Sequence, residues 1–237
     1  SSNVLKAIVA DLFADRRRVL TWLLAMLAML AATAIAVDTL LMVARAYSPL
    51  PYWDQWDSLL DYQRLRQGDF SLGDLFSQHN EHRLAAPRLI FWADYALAGG
   101  SNKLNLAVIA VIQLVHAALL IGLARPRRTE AQGWIAAAVV LALLMSLGQW
   151  ENFTWGFQSQ FVGVFALATG AFILIARAAS DGAGRRAVLF FVGLGLLSLA
   201  TFTMANGLIA AAIAVVLCLA VGAPLWMTLT TAGYVIV

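Results

Sequence analysis

Residues 19–44 read VLTWLLAMLAMLAATAIAVDTLLMVA, and the only charged residue in this run is Asp38. A helix needs about 20 mainly apolar residues to cross the roughly 30 Å of hydrocarbon in a bilayer, so this stretch predicts a transmembrane helix. A seventh such run begins near Leu225, and the five between lie at 104–124, 134–149, 158–176, 187–203 and 207–223. We therefore predict an all-α, polytopic transmembrane protein with about seven spans.

The composition favours the same class of protein. Of the 237 residues, 62% are hydrophobic and 12% are charged, and the mean hydropathy is +0.79. Soluble domains are nearer half apolar and a quarter charged. We predict one transmembrane core over residues 1–237. Because the last apolar run continues to Val237, we also expect this sequence to be the N-terminal part of a longer chain.

Positive charge is concentrated in three segments that the span pattern places on one side of the membrane. Ten of the sixteen basic residues belong to them: Lys6, Arg16, Arg17, Arg18, Arg125, Arg127, Arg128, Arg177, Arg185 and Arg186. Basic residues favour the cytoplasmic side, so we expect a cytoplasmic N-terminus and an extracytoplasmic loop at 47–102. The net charge of +3 is then a consequence of topology, and we expect no nucleic-acid partner.

Residues 3–15 precede the first span and have an amphipathic pattern. One side of a helix over this segment would carry Leu5, Ile8, Val9, Leu12 and Phe13. Such a helix is typical of segments that lie in the membrane interface. We expect an interfacial helix on the cytoplasmic face that leads into the first span.

The loop at 47–102 contains most of the ionisable chemistry of the chain. It carries seven acidic residues and four arginines: Asp54, Asp57, Asp61, Asp69, Asp74, Glu81 and Asp94, with Arg64, Arg66, Arg83 and Arg88. Two shorter loops, at 150–157 and 203–206, are expected on the same side because of the order of the spans. Polar residues of the three segments can therefore meet.

The first motif in the loop is YWDQWD at 52–57. On a helix it would place three carboxylates on one face and three apolar side chains on another: Asp54, Asp57 and Asp61 against Trp53, Trp56 and Leu60. Carboxylates four residues apart repel each other, so the pattern does not stabilise the helix by itself. Two interpretations stay open, a solvated acidic face and a group of catalytic or metal-binding carboxylates.

The second motif is HNEHR at 79–83, followed by Pro87 and Arg88. Arginine binds phosphate through a two-pronged guanidinium, so Arg83 and Arg88 are candidate phosphate ligands. His79 and His82 have a spacing that a metal site can use, although two histidines are a weak signal. Pro87 is typical of the first turn of a helix. The alternative is a polar loop that leads into that helix.

Two further motifs lie in the shorter loops. Glu151 is the only acid of its loop, and its neighbours Trp155 and Gln158 belong to a segment rich in aromatic residues. Those aromatic rings would suit either a platform for a sugar or a belt at the membrane interface. Asn206 and Gly207 form a turn signal, which a turn alone explains.

The order of spans and motifs resembles the GT-C superfamily of membrane glycosyltransferases. Members of this superfamily have a large first extracytoplasmic loop with amphipathic helices, which carries the catalytic aspartate shortly after the first span. Here Asp54 or Asp57 has that place, and Glu151 has the place of a second acid after the third span. The motifs also look like those of an uncharacterised bacterial branch. The chain differs from protein mannosyltransferases, because Gln55 rather than Glu follows Asp54.

The resemblance implies an inverting transfer of sugar from a polyprenyl-phosphate donor to a glycan, lipid or protein acceptor at the bacterial plasma membrane, with the active site outside. It implies catalytic roles for Asp54, Asp57 and Glu151, and donor-phosphate binding by Arg83 and Arg88. It allows a divalent ion, Mg or Mn, on Asp57 and Glu151. The substrate would contact seven more residues: Trp53, His79, Glu81, His82, Trp155, Gln158 and Asn206.

Two other functions fit the same sequence. A transporter or flippase for a lipid-linked sugar would move its substrate without breaking a bond. The spans contain few of the internal Gly and Pro breaks that mark transporter sites, which disfavours this alternative. A non-catalytic scaffold subunit of an envelope complex would bind no donor.

Overall fold

A computed structural model of the chain describes the backbone of residues 2–124 and 130–236, and the side chains of residues 15–124 and 130–236. The structure is 82% helical, which confirms the all-α class. The predicted basic loop with Arg125, Arg127 and Arg128 lies outside the described residues.

The described residues form long helices separated by short connections. In chain order the elements are α1 (Ser2–Arg45), α2 (Gln55–Gln67), α3 (Leu72–Leu75), β1 (Gln78–His79), β2 (His82–Arg83), α4 (Ala85–Leu97), α5 (Lys103–Ala124), α6 (Glu130–Leu144), α7 (Trp150–Thr154), α8 (Ser159–Ser180), α9 (Ala183–Thr201), α10 (Asn206–Ala220) and α11 (Leu225–Ile236). Single 3₁₀ turns at Leu147–Gln149 and Gly156–Gln158 flank α7.

Five helical segments in the described part of the chain are long and apolar enough to cross a membrane. They are Asp15–Arg45, Lys103–Ala124, Glu130–Thr154, Gly156–Ser180 and Ala183–Thr201. The last two predicted spans form α10 and α11, which have 15 and 12 residues and are shorter than a typical crossing. The structure therefore supports five spans of the predicted seven.

Helix α1 continues from Ser2 to Arg45 without interruption. The segment 3–15 is thus helical and leads directly into the first span. Its location at the membrane interface stays a prediction.

The chain divides into two compact units, and the first contains α1, the end of α5 and α6. On α1 the buried residues Ala25, Ala32 and Thr39 recur every seven positions, so they form one stripe. Small side chains let two helix backbones approach closely. The Thr39 hydroxyl donates a hydrogen bond of 2.6 Å to the carbonyl of Met145, which adds a polar contact within this unit.

The second unit comprises residues 46–119 and 150–236, and its centre is the packing of α8, α9 and α10. Small side chains again allow close approach. A Cβ on Gly193 would lie 3.0 Å from Ile175 Cγ1 and 3.2 Å from the carbonyl oxygen of Ala171. Asn206 and Gly207, predicted as a turn, lie in the first turn of α10, and a Cβ on Gly207 would collide with the backbone of Ala200 and Thr201.

The segment between α1 and α5 contains helices, as predicted, and also a small β-hairpin that the all-α prediction did not include. Helix α2 ends at Gly68, whose φ of +83° suits glycine. Ser71 and Asp74 form a reciprocal capping box on α3. In the hairpin β1 and β2 are antiparallel, with His79 opposite His82. Strands of two polar residues are too short to have a recognisable alternation.

A buried polar cluster fixes the start of α5. The carboxylate of Asp94, 1% exposed, accepts hydrogen bonds of 2.8 Å from the backbone amides of Asn102 and Leu104. The side-chain oxygen of Asn102 accepts from Gln55 Nε2 at 2.9 Å and from Asn105 Nδ2 at 3.1 Å. We call Gln55, Asp94, Asn102 and Asn105 the α5 start cluster. It joins the beginning of α2 to the end of α4.

Candidate functional site

The predicted acidic residues line a cavity of about 10 Å³ in the second unit, which is room for about one water molecule. Its walls come from α2, the hairpin, α4 and the segment before α8: Asp54, Asp57, Ser58, Asp61, His79, Leu84, Arg88, Phe91 and Phe157. We call this the carboxylate cavity. Trp53, Trp56 and Leu60 are all exposed and do not line this cavity, and Trp53 precedes α2 in a left-handed conformation.

Asp54 precedes α2 at the N-cap position, but its side chain makes no capping hydrogen bond. Aspartate at this position usually accepts a bond from a backbone amide of the first turn. Here Asp54 Oδ2 lies 3.5 Å from His79 Nε2, and the side chain is 42% exposed. The carboxylate is therefore turned toward the cavity and is accessible to solvent.

His79 lies between two carboxylates. Its Nδ1 is 3.7 Å from Asp57 Oδ2, and its Nε2 faces Asp54. Nε2 is buried and has no hydrogen-bond partner within the part of the chain that the structure describes. The ring contacts Phe157 edge-on, with 5.7 Å between the centroids. Gln55 Oε1 and Asn105 Oδ1 in the α5 start cluster are likewise buried without a partner among the described residues, so what distinguishes His79 is its position between two carboxylates.

Arg88 is the residue that holds the third carboxylate. Its Nε donates to Asp61 Oδ2 at 3.1 Å, and its Nη1 donates at 2.9 Å to the carbonyls of Leu75 and Ser77. The residue is 6% exposed. Arg88 thus ties α4 to α2 and to the segment before the hairpin, whereas the sequence suggests a phosphate ligand. Phosphate binding by Arg88 stays a prediction.

Ser58 and Tyr95 support the same wall of the cavity. The Ser58 hydroxyl donates to the carbonyl of Gln55 at 2.6 Å and lies 3.0 Å from the Tyr95 hydroxyl. Burial raises the pKa of Tyr95 above its usual value, so the phenol stays protonated at neutral pH. These contacts fix α2 against α4.

The three segments that are expected to share one side do meet in the second unit. The backbone amide of Ala205 donates to His82 Nδ1 at 3.4 Å, and the amide of Ala86 donates to the carbonyl of Phe202 at 3.1 Å. From the segment at 150–157, Trp155 Nε1 donates to the carbonyl of Tyr52 at 3.1 Å. The turn between α9 and α10 therefore contacts the hairpin and α4, and the segment before α8 contacts the YWDQWD motif.

Aromatic rings continue from the YWDQWD motif into the core. Trp53 stacks on Tyr52 with 5.4 Å between ring centroids, and Trp155 meets both rings edge-on. Trp155 in turn stacks on Phe157, and Phe157 stacks on the buried Phe91. We call Tyr52, Trp53 and Trp155 the aromatic platform.

A second, larger cavity of about 540 Å³ also lies in the second unit. Its lining is almost entirely apolar and comes from α4, α5, α8 and α9. Along α8 it extends from Ser159 to Arg177, which corresponds to about 27 Å of helix. We call it the apolar groove. Its length is close to the hydrocarbon thickness of a bilayer.

Helix α4 separates the two cavities. Ala86, Pro87 and Ile90 line the apolar groove, whereas Arg88 and Phe91 line the carboxylate cavity. A helix with its side chains is about 10 Å across, which sets the scale of this separation.

Several predicted site residues do not line the carboxylate cavity. These are Trp53, Glu81, His82, Arg83, Glu151, Trp155, Gln158 and Asn206. Arg83 is exposed on the hairpin, Glu151 is exposed on α7, and Gln158 is buried just before α8. Asn206 begins α10 next to the residue that contacts His82. Their substrate roles stay predictions.

The described side chains do not form a recognisable metal centre. Among them, no three or more His, Cys, Asp or Glu residues are grouped closely enough to hold a metal ion. Asp57 lines the carboxylate cavity and Glu151 does not. A Mg or Mn ion shared by these two carboxylates stays a prediction.

Several contributors to the site are not identifiable from sequence. Tyr52, Ser58, Phe91 and Phe157 are ordinary aromatic or small residues in isolation, and they gain importance only through contacts between distant segments. The helical period can be read from a single sequence, and it could have placed Ser58 beside Asp54 and Asp61. No local pattern could have placed Phe91 on Phe157.

Comparison of the chain with protein-family models, with curated proteins and with solved structures finds no match. The structure defines a helical protein whose apolar helices are consistent with a place in a lipid bilayer. The basis for any more specific function is therefore the site itself.

Proposed function

We propose that the chain is a membrane glycosyltransferase of the GT-C type that transfers sugar from a polyprenyl-phosphate donor to an extracytoplasmic acceptor at the bacterial plasma membrane. The observation that carries the proposal is the pair of cavities on two faces of α4. One is long and apolar, and the other contains carboxylates. In this proposal the lipid tail lies in the groove, and the sugar lies outside the carboxylate cavity, where only the reacting hydroxyl of the acceptor meets the carboxylates.

The apolar groove supports a polyprenyl tail as the lipid part of the donor. Its walls are largely aliphatic side chains of α5, α8 and α9, and at Gly163 and Gly170 a Cβ would lie 3.3 Å from Thr203 and 3.2 Å from Leu196. An isoprenoid chain gains roughly 25 cal/mol for each Å² of apolar surface removed from water. The end of the groove at Ser159 and Thr203 carries hydroxyl groups, and there the phosphate would emerge.

Asp54 is the proposed general base. Its carboxylate is accessible and is not engaged in capping α2. In the transfer, the carboxylate takes the proton of the acceptor hydroxyl while that oxygen bonds to the anomeric carbon. The bond from that carbon to the phosphate oxygen breaks, and polyprenyl phosphate leaves with the electron pair. Displacement from the opposite face inverts the anomeric configuration.

His79 and Asp57 position Asp54 in this mechanism. The imidazole lies between the two carboxylates, and Phe157 supports its ring. A base works only when it is held within hydrogen-bond distance of the proton that it takes. Arg88 contributes indirectly, because it neutralises Asp61 and joins α2 to α4.

Arg83 and His82 are the proposed contacts of the donor phosphate. Arg83 is an exposed guanidinium on the hairpin. His82 accepts the amide of Ala205 at Nδ1, which places the proton of the neutral ring on Nε2 and makes that nitrogen a donor. Donors aimed at the developing phosphate charge would stabilise the transition state.

The proposal is tested by release of sugar from polyprenyl phosphates that carry radiolabelled glucose, mannose or galactose, with water or a small panel of added hydroxyl acceptors receiving the sugar. The purified protein, Asp54→Asn and Asp69→Asn would be compared in liposomes. Asp69 is an exposed carboxylate in the segment after α2 and serves as the matched control. We expect turnover by the wild type and by Asp69→Asn, with a loss of about 10²- to 10⁴-fold in Asp54→Asn.

Other outcomes would contradict the proposal in distinct ways. Equal turnover in Asp54→Asn would remove Asp54 as the base. Saturable donor binding without release of sugar would favour a lipid carrier or flippase. Neither binding nor release would favour the scaffold function. A bulky substitution in the groove, Val115→Trp, separates tail binding from chemistry, and we expect it to raise KM for the donor.

A further inference from the structure

We infer that the acceptor is a carbohydrate, and that one of its sugar rings stacks on the aromatic platform of Tyr52, Trp53 and Trp155. The inference rests on the proposed function, because it names the acceptor class of the same site. Sequence alone leaves a glycan, a lipid and a protein as alternatives. The geometry of the platform favours the first.

The platform exposes the outer aromatic faces of Tyr52 and Trp53, whose inner faces stack on each other. Trp53 is 69% exposed and Tyr52 is 54% exposed, and their rings lie nearly parallel with an interplanar angle of 16°. Adjoining exposed apolar side chains, unlike single ones, mark places where a partner binds. The C–H faces of a pyranose ring are apolar and match an indole face in area.

The platform is supported from behind by further rings. Trp155 meets Trp53 at 81° and Tyr52 at 83°, and its own Nε1 donates to the Tyr52 carbonyl. Behind Trp155, the rings of Phe157 and Phe91 stack with interplanar angles of 20° and 12°. Rings that are fixed before binding lose little conformational entropy when a ligand stacks on them.

The backbone at Trp53 has a conformation that bulky residues rarely adopt. Its φ is +46°, which lies in the left-handed region. Such residues persist where surrounding structure forces them and are concentrated at binding sites. Glycine or asparagine would be the natural residue for this turn. The presence of tryptophan indicates that the indole, rather than the turn, is required there.

The neighbours of the platform carry negative charge. Asp54 follows Trp53 directly, and the side chain of Asp57 is 61% exposed. Carboxylates accept hydrogen bonds from sugar hydroxyls, which complements stacking on the apolar face. The same charges repel the anionic headgroups of a membrane surface. A neutral polyhydroxylated ligand therefore suits the platform better than an interfacial location in lipid does.

The test is calorimetric titration of the full chain in detergent micelles with chitotetraose, cellotetraose and mannotetraose. We expect saturable binding of at least one of them and an affinity about ten-fold lower in Trp53→Gly, because stacking on an aromatic ring is lost. Trp53→Phe retains an aromatic face and should recover part of the affinity. Trp150→Ala, which removes an exposed tryptophan of α7 outside the platform, is the matched control and should bind as the wild type does.

Trp53→Gly also separates binding from folding, because glycine adopts the left-handed conformation without strain. We expect its melting temperature to stay close to that of the wild type while binding is lost. Binding of none of the three oligosaccharides, or equal affinity in Trp53→Gly, would overturn the inference. Quenching of wild-type tryptophan fluorescence by brominated lipid that is lost in Trp53→Gly, without any loss of sugar binding, would overturn it in favour of an interfacial belt.

Failure of the inference can be distinguished from failure of the proposed function. Oligosaccharide binding needs no donor and no chemistry. Sugar release to water from the polyprenyl-phosphate donors needs no acceptor platform. A protein that cleaves the donor equally well as wild type and Trp53→Gly, but binds no oligosaccharide, would retain the transferase proposal and lose the carbohydrate acceptor.

Discussion

The α5 start cluster and the carboxylate cavity are two polar groups of the same unit, and they differ in how their hydrogen bonds are satisfied. Around Asp94 the buried carboxylate receives two backbone amides, and Asn102 receives two side-chain donors. Around Asp54 and His79 the distances are 3.5 Å or more, and the buried Nε2 has no partner among the described residues.

This difference separates structural from functional polarity. The Asp94 carboxylate receives a backbone amide on each oxygen and specifies the packing at the start of α5, although Gln55 Oε1 and Asn105 Oδ1 of the same cluster are buried without a partner among the described residues. Asp54 and Asp57 are 42% and 61% exposed and make no hydrogen bond with the described side chains, so stability does not account for their positions. Asp61 shows the contrast within one helix face, since Arg88 satisfies it while Asp54 and Asp57 are left facing His79.

The largest expected effect on stability is a break in the α5 start cluster. In Gly156→Ala the new Cβ would collide with the side-chain oxygen of Asn102 and lie 2.9 Å from Asn105 Cβ. We expect a loss of about 3 kcal/mol in the free energy of unfolding, because the buried cluster has no room to move. Thermal unfolding in detergent measures it. Gly195→Ala, with open space around its Cβ, is the control and should not destabilise the protein.

The next effect concerns the ion pair between Arg88 and Asp61, which joins α4 to α2 at the wall of the carboxylate cavity. Arg88→Lys keeps the positive charge but cannot reach Asp61 and the carbonyls of Leu75 and Ser77 together. We expect a loss of about 2 kcal/mol in stability from unsatisfied buried acceptors. Denaturant titration would measure it, and an unchanged midpoint would show that the buried contacts do not stabilise the loop.

In the carboxylate cavity, by contrast, we expect a substitution of Asp57 not to lower the stability. Asp57→Asn removes one of three like charges on the face of α2 and breaks no hydrogen bond of the described side chains. We expect stability to change by less than about 0.5 kcal/mol or to increase. A clear fall in the melting temperature would place Asp57 with the structural carboxylates instead.

The smallest effect is local to α3. Hydrogen bonds from the Ser71 side chain and backbone lower the pKa of the exposed Asp74 carboxyl. A lowered folded-state pKa means that the capping box stabilises α3 above the unfolded pKa of aspartate and loses this contribution as the pH falls through the folded pKa. Hydrogen exchange of α3 should be faster in Asp74→Asn than in the wild type at neutral pH. The difference should disappear in acid.

Sequence predicted the parts of this fold that depend on local composition. Apolar length located the five long helices, and a helical period grouped Asp54, Asp57 and Asp61, which line one cavity at the start of α2. The period works because each side chain of a helix has a fixed direction relative to its neighbours. The turn between α9 and α10 lies close to the short loop that the sequence predicted at 203–206.

Sequence could not predict the parts that depend on distant contacts. Arg88 finds Asp61 across 27 positions, and Trp155 finds Tyr52 across 103 positions. The hairpin at His79 was missed because its strands have two residues each. The apolar groove was also invisible, because its walls look like any lipid-facing helix surface in sequence.

The role of Asp54 as the base is decided by a paired measurement on Asp54→Asn, of its donor turnover and of its melting temperature. We predict that turnover falls by about 10²- to 10⁴-fold while the melting temperature stays the same or rises, because the carboxylate serves chemistry and does not cap α2. Full turnover would contradict this role. A loss of turnover together with a clear loss of stability would also contradict it, since Asp54 would then be a structural residue.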